Sequence, residues 1–182
     1  MLRLSWIIFA LVAGGIIIWC AAGGFDPRPA GGPARFLTPA ALQWKAANQE
    51  DSHSQIKAFI TDLDTSSTTI IVRAHTKPDS GRWGLGDEVG DLLLLDPEGY
   101  ATLTDHDQVL VPLTTFPHIR PGQNEIWVDF ADGALVSVRI NREIFWQGKG
   151  KAKTGPLFLT AVLAGKETRL DVLEAAIYKE QD

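Results

Sequence analysis

The sequence predicts an all-β protein, an antiparallel sandwich or barrel, that follows a single transmembrane helix and a Pro/Gly-rich linker. From Ser54 onward, apolar and polar residues alternate with a period of two in short segments, which is typical of strands with one buried face. Gly, Pro and Asp residues separate these segments, as they do in antiparallel sheets. We therefore expect a transmembrane anchor over residues 1–24, a linker over residues 25–40 and a β-sandwich over residues 41–182.

An uncharged stretch of 19 residues, LSWIIFALVAGGIIIWCAA, covers positions 4–22. As a helix it would be about 30 Å long, which matches the hydrocarbon thickness of a bilayer. Trp6 and Trp19 lie near its two ends, where indole rings prefer the membrane interface. Gly14 and Gly15 lie mid-span and would let a second helix approach closely. These four residues are predicted to contact lipid or a partner helix.

A cleaved signal peptide is the alternative interpretation, because Arg3 precedes the apolar stretch and small residues follow it. The stretch is longer than the roughly 7–15 residues of a usual signal-peptide core, which favours an uncleaved anchor. Arg3 on one side and Asp26, Arg28 and Arg35 on the other nearly balance under the positive-inside rule. A short N-terminal tail before a large domain favours a cytoplasmic N-terminus and a periplasmic, or otherwise extracytoplasmic, C-terminal domain.

The segment at residues 21–40 consists mostly of Ala, Gly and Pro. Its prolines exclude a continuous helix or a central strand, so we interpret it as a semi-extended tether. Residues 39–50 are compatible with a short helix, since Thr38 suits an N-cap and Pro39 the first helical position. They are equally compatible with a first strand, and both alternatives stay open.

Strand-like segments then follow at short spacing, and none resembles a long helix. The alternation changes phase between Val172 and Leu173, which predicts a β-bulge in the last strand. The predicted strands cover residues 54–62, 68–75, 91–96, 99–104, 108–114, 125–131, 134–142, 143–147, 156–164 and 168–178.

The stretch NEIWVDFADGALVSVRINREIFWQG, residues 124–148, predicts a β-hairpin. Asp132-Gly133 is a strong two-residue hairpin signal between two alternating segments. Asn141-Arg142 begins another turn. The alternation assigns six residues to buried faces. They are Ile126, Val128, Phe130, Val136, Val138 and Ile140.

Four dipeptides in residues 124–178 resemble a pattern of concanavalin A-like (laminin G-like) jelly rolls, in their C-terminal half. That pattern is an Asp-Gly turn, an Asn-Gly-type turn, a Gly-Pro-led strand and a last strand that ends in an apolar-Tyr pair. Here the dipeptides are Asp132-Gly133, Asn141-Arg142, Gly155-Pro156 and Ile177-Tyr178. The resemblance implies a jelly-roll-like antiparallel β-sandwich. Arg142 is a departure, because the family usually has glycine at that position of the turn.

The family includes glycan-binding lectins, glycoside hydrolases and modules that bind only proteins. Its hydrolases place carboxylates on one strand as Glu-x-Asp-x-x-Glu, and this chain contains no such run. We therefore expect a protein that is not an enzyme. Because fold does not determine function, the resemblance predicts the architecture more firmly than the role.

Composition excludes several other classes of protein. The net charge of −5 argues against a nucleic-acid binder, which would present a basic face to phosphate groups. Cys20 is the only cysteine, so neither an intrachain disulfide nor a cysteine-cluster metal site can form.

Two groups of acidic residues are candidate sites. Asp62 and Asp64 could share a strand face as paired catalytic carboxylates do, but aspartate is also common in the turn after a strand. Four carboxylates within residues 96–107 could ligate calcium, which prefers several oxygen ligands. They are Asp96, Glu98, Asp105 and Asp107. Solvated turns are the simpler interpretation of both groups, and no metal or cofactor is expected.

The glycine-rich segment at residues 81–91 is interpreted as a long flexible loop, since the helix that a phosphate loop requires does not follow it. Trp83 in this segment and Trp146 are predicted partner-binding residues, because an exposed tryptophan can stack on a sugar or insert into a partner. Trp83 could equally cap the core.

Three lysines in another Gly-rich segment are interpreted as solvated, with anionic headgroups as an alternative contact. They are Lys149, Lys151 and Lys153.

Together these features predict a non-catalytic, membrane-anchored accessory or scaffolding subunit of a larger complex, such as a photosynthetic or respiratory one. Its partners would be the lipid bilayer and integral membrane proteins, and no nucleic acid. The alternative is a membrane-anchored carbohydrate-binding module that uses a concave sheet face with Trp83 or Trp146. It requires aromatic side chains exposed on one face. A glycan-active hydrolase is third, and it would need two carboxylates in one cleft.

Overall fold

Two antiparallel β-sheets form the body of the protein, one of six strands and one of seven. The computed structural model describes residues 2–21, 29, 32, 35–38, 44–50, 53–77, 81–106, 108–164 and 169–180. Buried residues of both sheets form one continuous hydrophobic cluster. The chain is therefore an all-β sandwich, as the sequence predicts.

Strands are numbered in chain order, and neighbours in each sheet are listed side by side. The six-stranded sheet consists of β1 (Arg35–Leu37), β13 (Arg169–Lys179), β4 (Thr68–Lys77), β9 (Asn124–Ala131), β10 (Ala134–Ile140) and β11 (Glu143–Gln147). The seven-stranded sheet consists of β2 (Trp44–Glu50), β3 (His53–Leu63), β12 (Gly155–Ala164), β5 (Arg82–Gly86), β6 (Asp91–Asp96), β7 (Tyr100–Asp105) and β8 (Gln108–Thr115).

The core is built from cross-strand rows of apolar side chains. One such row crosses five strands of the seven-stranded sheet, and all of its members are fully buried. It consists of Ala58, Leu159, Leu85, Leu93 and Leu103. Because side chains alternate across a strand, the residues between these rows point to the outer face of the sheet.

The predicted hairpin at residues 124–148 is confirmed, with one change in its buried face. Asp132 and Gly133 form the turn between β9 and β10 with positive φ values of 51° and 70°. A register shift between Leu135 and Ser137 makes Val136 the extra residue of a bulge. Leu135 therefore replaces Val136 in the core, which a strict period of two does not anticipate.

The phase change in the last strand is also confirmed. The pairing of β13 with β4 shifts register between Val172 and Glu174, so Leu173 is the extra residue and is half exposed. The bulge lets apolar side chains on both sides of it reach the core.

Two regions differ from the predictions, and a third decides between two alternatives that the sequence leaves open. The segment interpreted as a flexible loop contains β5, a strand between β12 and β6, so the loop interpretation is wrong. The predicted linker at residues 25–40 includes β1, which pairs with β13 at the edge of its sheet. Of the segment at residues 39–50, positions 44–50 form β2, which favours the strand alternative; positions 39–43 lie outside the described residues.

The N-terminal segment forms helix α1, Leu2–Ala21. Its side chains are described from Ser5 to Ile18. Over the described part of the chain, no helical stretch has both the length and the apolar character needed to cross a bilayer. The transmembrane anchor stays a prediction.

The backbone of β5 approaches β6 so closely at Gly84 that a side chain would not fit. A Cβ atom added there would lie 1.8 Å from the backbone carbonyl oxygen of Leu93. We expect Gly84→Ala to lower the free energy of unfolding by about 2–4 kcal/mol, because the backbone of a central strand must shift. Gly90→Ala is the matched control, since nothing lies within 4 Å of its added Cβ, and we expect a change within about 0.5 kcal/mol. Equal denaturation midpoints for the two variants would contradict this geometry.

Candidate functional site

A groove of about 560 Å³ lies at one end of the six-stranded sheet. Its walls come from β4, from the start of β9, from the loop before β9 and from the turn after β10. Three arginines and one glutamate are its charged lining residues. The lining residues are Arg73, Arg120, Pro121, Gln123, Glu125, Asn141 and Arg142.

Glu125 lies at the base of the groove with only 10% of its side chain exposed. Its carboxylate accepts a hydrogen bond of 2.5 Å from Arg73 and lies 3.6 Å from Nε of Arg142. Arg73 also pairs with Glu174, its neighbour on the adjacent strand β13, at 3.0 Å. The hydrogen bond to Glu125 raises the pKa of the Arg73 guanidinium above its ordinary value. The two arginines are therefore held in place by a nearly buried carboxylate.

The turn Asn141-Arg142 confirms the predicted turn position and forms one wall of the groove. Both residues have positive φ, 51° for Asn141 and 74° for Arg142. Asparagine tolerates this left-handed conformation, whereas arginine adopts it rarely and at a cost in free energy. Concanavalin A-like jelly rolls usually have glycine at this position of the turn. This chain has an arginine there, although the backbone conformation favours glycine.

Asparagine side chains fix the backbone around the groove. Asn124 is buried, accepts a hydrogen bond from the backbone N–H of Arg120 at 2.8 Å, and donates to its carbonyl at 2.9 Å. Asn141 donates to the Asn124 side chain at 2.7 Å and to the carbonyl of His118 at 2.6 Å. The Asn141 amide oxygen accepts from the Glu125 backbone N–H at 2.9 Å. The loop and the turn are thereby tied together.

A second ionic cluster is buried beside the seven-stranded sheet. The Lys153 ammonium, with 5% of its side chain exposed, lies 2.9 Å from Asp105 and 3.2 Å from Asp87. Asp105 also accepts a hydrogen bond from the backbone N–H of Lys151 at 2.7 Å. Burial alone would raise the pKa of Asp87, but the Gly90 N–H and the Lys153 charge outweigh it and lower that pKa.

This cluster corrects two sequence interpretations. Lys153 is buried rather than solvated, while Lys149 and Lys151 are exposed as expected. Asp105, a candidate calcium ligand, is paired with Lys153 instead.

The remaining calcium candidates are dispersed. Asp96 pairs with Arg82 at 3.0 Å and caps the turn at Glu98, whose side chain is exposed. Asp107 lies outside the described residues. Across the part of the chain that the structure describes, no three metal-ligating side chains are grouped.

Asp62 and Asp64 have structural roles at the end of β3. Asp64 accepts hydrogen bonds from the backbone N–H and the hydroxyl of Ser66, and pairs with Lys179 at 2.9 Å. The Ser66 hydrogen bonds, with Lys179, hold the pKa of Asp64 well below its usual range. Asp62 is exposed and contributes its backbone carbonyl to Lys179. The turn interpretation therefore fits these residues.

The predicted partner-binding tryptophans occupy different environments. Trp83 is only 2% exposed and belongs to the core, so its predicted surface position is wrong and it caps the core instead. Trp146 is half buried and packs against the core cluster.

On α1, Trp6 is 67% exposed. A Cβ added at Gly14 or at Gly15 meets no atom within 4 Å. The side chain of Trp19 lies outside the described residues. The contacts predicted for this helix therefore stay predictions.

Aromatic residues missed by the sequence analysis lie on the outer face of the seven-stranded sheet. Phe59 and Phe158 are cross-strand neighbours with edge-to-face rings 6.2 Å apart, and Phe59 is 41% exposed. Lys57 Nζ lies 5.9 Å from the centre of the Phe158 ring. Tyr100 is exposed two strands beyond β5. Alternation along β3 and β12 places Phe59 and Phe158 on the outward faces of their strands. That the two residues are neighbours depends on the register between the strands, which the sequence does not give.

The fold is that of concanavalin A-like jelly rolls. The carbohydrate recognition domain of Emp47p superimposes with a TM-score of 0.50 at 12% identity, covering 79% of this chain and 90% of that one. The metal-free exoplasmic/lumenal domain of VIP36 gives 0.47 at 13% identity, covering 86% of this chain and 91% of that one. A laminarinase from Flavobacterium sp. UMI-01 gives 0.47 at 12% identity, with coverages of 69% and 72%. No protein-family model matches the chain, and no curated protein matches it in sequence. At 12% identity, the likeness to the Emp47p domain shows the fold alone.

Lys153→Met tests the buried ionic cluster. Removing the ammonium leaves the nearly inaccessible Asp105 carboxylate without its charge partner, so we expect a loss of about 3–5 kcal/mol in the free energy of unfolding. Lys151→Met is the control, because that side chain is exposed and its loss should change the stability by less than about 0.5 kcal/mol. Urea denaturation measures both, and a Lys153→Met variant as stable as the control would refute the role of the cluster.

Proposed function

We propose that the protein is a membrane-anchored, non-catalytic accessory subunit, whose helix packs within a larger membrane complex and whose sandwich docks on the soluble face of that complex. The observation that carries the proposal is the exposure of the apolar side chains of α1. Leu11 and Ile18 are each 71% exposed, and Trp6, Phe9 and Ile17 are each at least 65% exposed.

An apolar helix of this kind requires a non-aqueous environment. Burying an apolar side chain of this size contributes about 1.5–3 kcal/mol, and a helix that is apolar all round is typically covered by protein or lipid. Either lipid or a partner helix would cover the exposed apolar side chains of α1. The glycines at positions 14 and 15 suit a close contact with another helix. The proposed orientation places the N-terminus in the cytoplasm and the sandwich on the extracytoplasmic side.

The proposed lack of catalysis is supported by the state of the acidic residues described above. Asp87 and Asp105 share Lys153 as their ion-pair partner, Asp96 pairs with Arg82, and Glu125 pairs with Arg73. Glycoside hydrolysis requires one acid with a raised pKa opposite a second carboxylate. These paired carboxylates instead suit structural roles.

Leu11→Arg tests the anchor. A charge at the centre of a membrane helix costs about 2.5–3.5 kcal/mol on insertion scales, so this variant should shift from carbonate-washed membranes to the soluble fraction. Leu113→Arg is the matched control, since Leu113 is 55% exposed on β8 of the sandwich, and it should stay with the membrane. Release of the unmodified protein by the carbonate wash would refute anchoring.

A second candidate function is glycan binding on the outer face of the seven-stranded sheet, and the exposed residues Phe59 and Tyr100, with the half-buried Phe158 beside Phe59, favour it. Exposed rings stack on the apolar faces of sugars.

Phe59→Ala should weaken binding to any glycan retained on a glycan array by about tenfold, since a stacked ring contributes roughly 1–2 kcal/mol. Phe36→Ala is the control, because Phe36 is 65% exposed on the other sheet. An array without a bound glycan would exclude this candidate. Equal loss of binding in both variants would also exclude it.

A further inference from the structure

We propose that the groove at the end of the six-stranded sheet binds a sugar-sized molecule that carries an oxyanion group, a phosphate or a carboxylate. The groove is defined by the seven lining residues given above. This inference does not depend on whether the protein is anchored in a membrane, because it rests on the groove alone.

The charges of the groove select an anion. Its lining places three guanidinium groups around a single carboxylate, in a protein whose net charge is −5. Glu125 contacts two of the three, Arg73 and Arg142. Arg73 also pairs with Glu174. A guanidinium has five N–H donors, and those of Arg120 are the main ones that we propose for the ligand. Arginine forks match the geometry of phosphate and carboxylate oxygens.

Arg120 is the guanidinium best placed to respond to a ligand. Within the described residues, no carboxylate lies within ion-pair distance, 4.0 Å, of its side chain. Its backbone N–H and carbonyl are both held by the buried Asn124 side chain. The origin of the side chain is therefore fixed while its charge is exposed at the groove.

The backbone conformation of Arg142 indicates that its side chain has a role beyond the turn. A φ of 74° is rare for arginine, and glycine would relieve it. The turn is nevertheless held firmly, because the Arg142 carbonyl accepts a hydrogen bond of 3.2 Å from Arg139, and Asn141 is bonded on three sides. Local strain that the surrounding structure maintains is typical of ligand sites.

The size of the groove sets the size of the ligand. About 560 Å³ falls within the range of roughly 300–1,000 Å³ for small-molecule sites. An inorganic anion would leave most of that volume empty, so the oxyanion is best carried on a larger polar body. Pro121, Gln123 and Asn141 supply the uncharged part of the lining, and the Gln123 amide can hydrogen-bond hydroxyl groups.

The test is a calorimetric titration of the full-length protein in neutral detergent with glucose 6-phosphate, glucuronate and glucose. We expect saturable binding of at least one of the two anions and none of glucose. Arg120→Gln should weaken that binding by at least about tenfold, the cost of a lost charge-assisted hydrogen bond. Arg35→Gln is the control, because Arg35 is exposed on the edge strand β1 and its change should leave binding unaltered.

Arg142→Gly separates recognition from folding. The variant should melt at the same or a higher temperature than the original protein, because glycine adopts the observed φ without strain. It should nevertheless bind the anion at least about tenfold more weakly. A loss of affinity without a loss of stability is not expected of a purely structural arginine.

Competition distinguishes two sources of the oxyanion. Nanodiscs that contain phosphatidylglycerol compete with the bound sugar anion, and phosphatidylcholine nanodiscs are the control. Displacement by the first and not by the second would identify a lipid headgroup as the ligand. No displacement would identify a soluble ligand. Absence of saturable binding by both anions would overturn the proposal. Unchanged affinity in both Arg120→Gln and Arg142→Gly would overturn it as well.

Discussion

The burial of two sheet faces against each other is the constraint on which the rest of the structure depends. Each strand contributes alternate apolar side chains to one continuous core, and rows such as that from Ala58 to Leu103 cross several strands without a polar member. Polar chemistry is thereby restricted to outer faces, strand ends and turns. The arginine groove and the Lys153 cluster both lie at such ends, where strands give way to loops.

The two ionic clusters illustrate different uses of charge. In the Lys153 cluster, an ammonium is nearly inaccessible and lies between Asp87 and Asp105, so that it joins loops of the seven-stranded sheet. In the groove, the glutamate is the nearly buried member and the arginines remain partly exposed around it. In the first arrangement two carboxylates share one ammonium, so no positive charge is left over, whereas the second leaves positive charge facing an open volume. That difference is the reason for proposing a ligand at the groove and none at the Lys153 cluster.

The extent to which the sequence predicts the structure follows from the range of the interactions involved. Alternation is local, so β3, β4 and β6 to β13, the Asp132-Gly133 hairpin and the bulge near Val172 could be predicted. β5 was missed because Gly84 and Gly86 interrupt its apolar pattern, although they fit a crowded central strand. The groove brings together residues that are far apart in the sequence, from Arg73 to Arg142, and the Lys153 cluster joins residues at a similar sequence separation. Such contacts depend on strand order and register, which composition and periodicity do not determine.

The proposed subunit role requires that membrane proteins of a larger assembly cover α1. Its most direct test is extraction of native membranes with a mild detergent, followed by a native gel and mass spectrometry of the band that contains this chain. We expect the chain to migrate in a large complex at a fixed stoichiometry, together with integral membrane proteins. Migration of the chain by itself, at the size of one 19.9 kDa protein plus detergent, would contradict it.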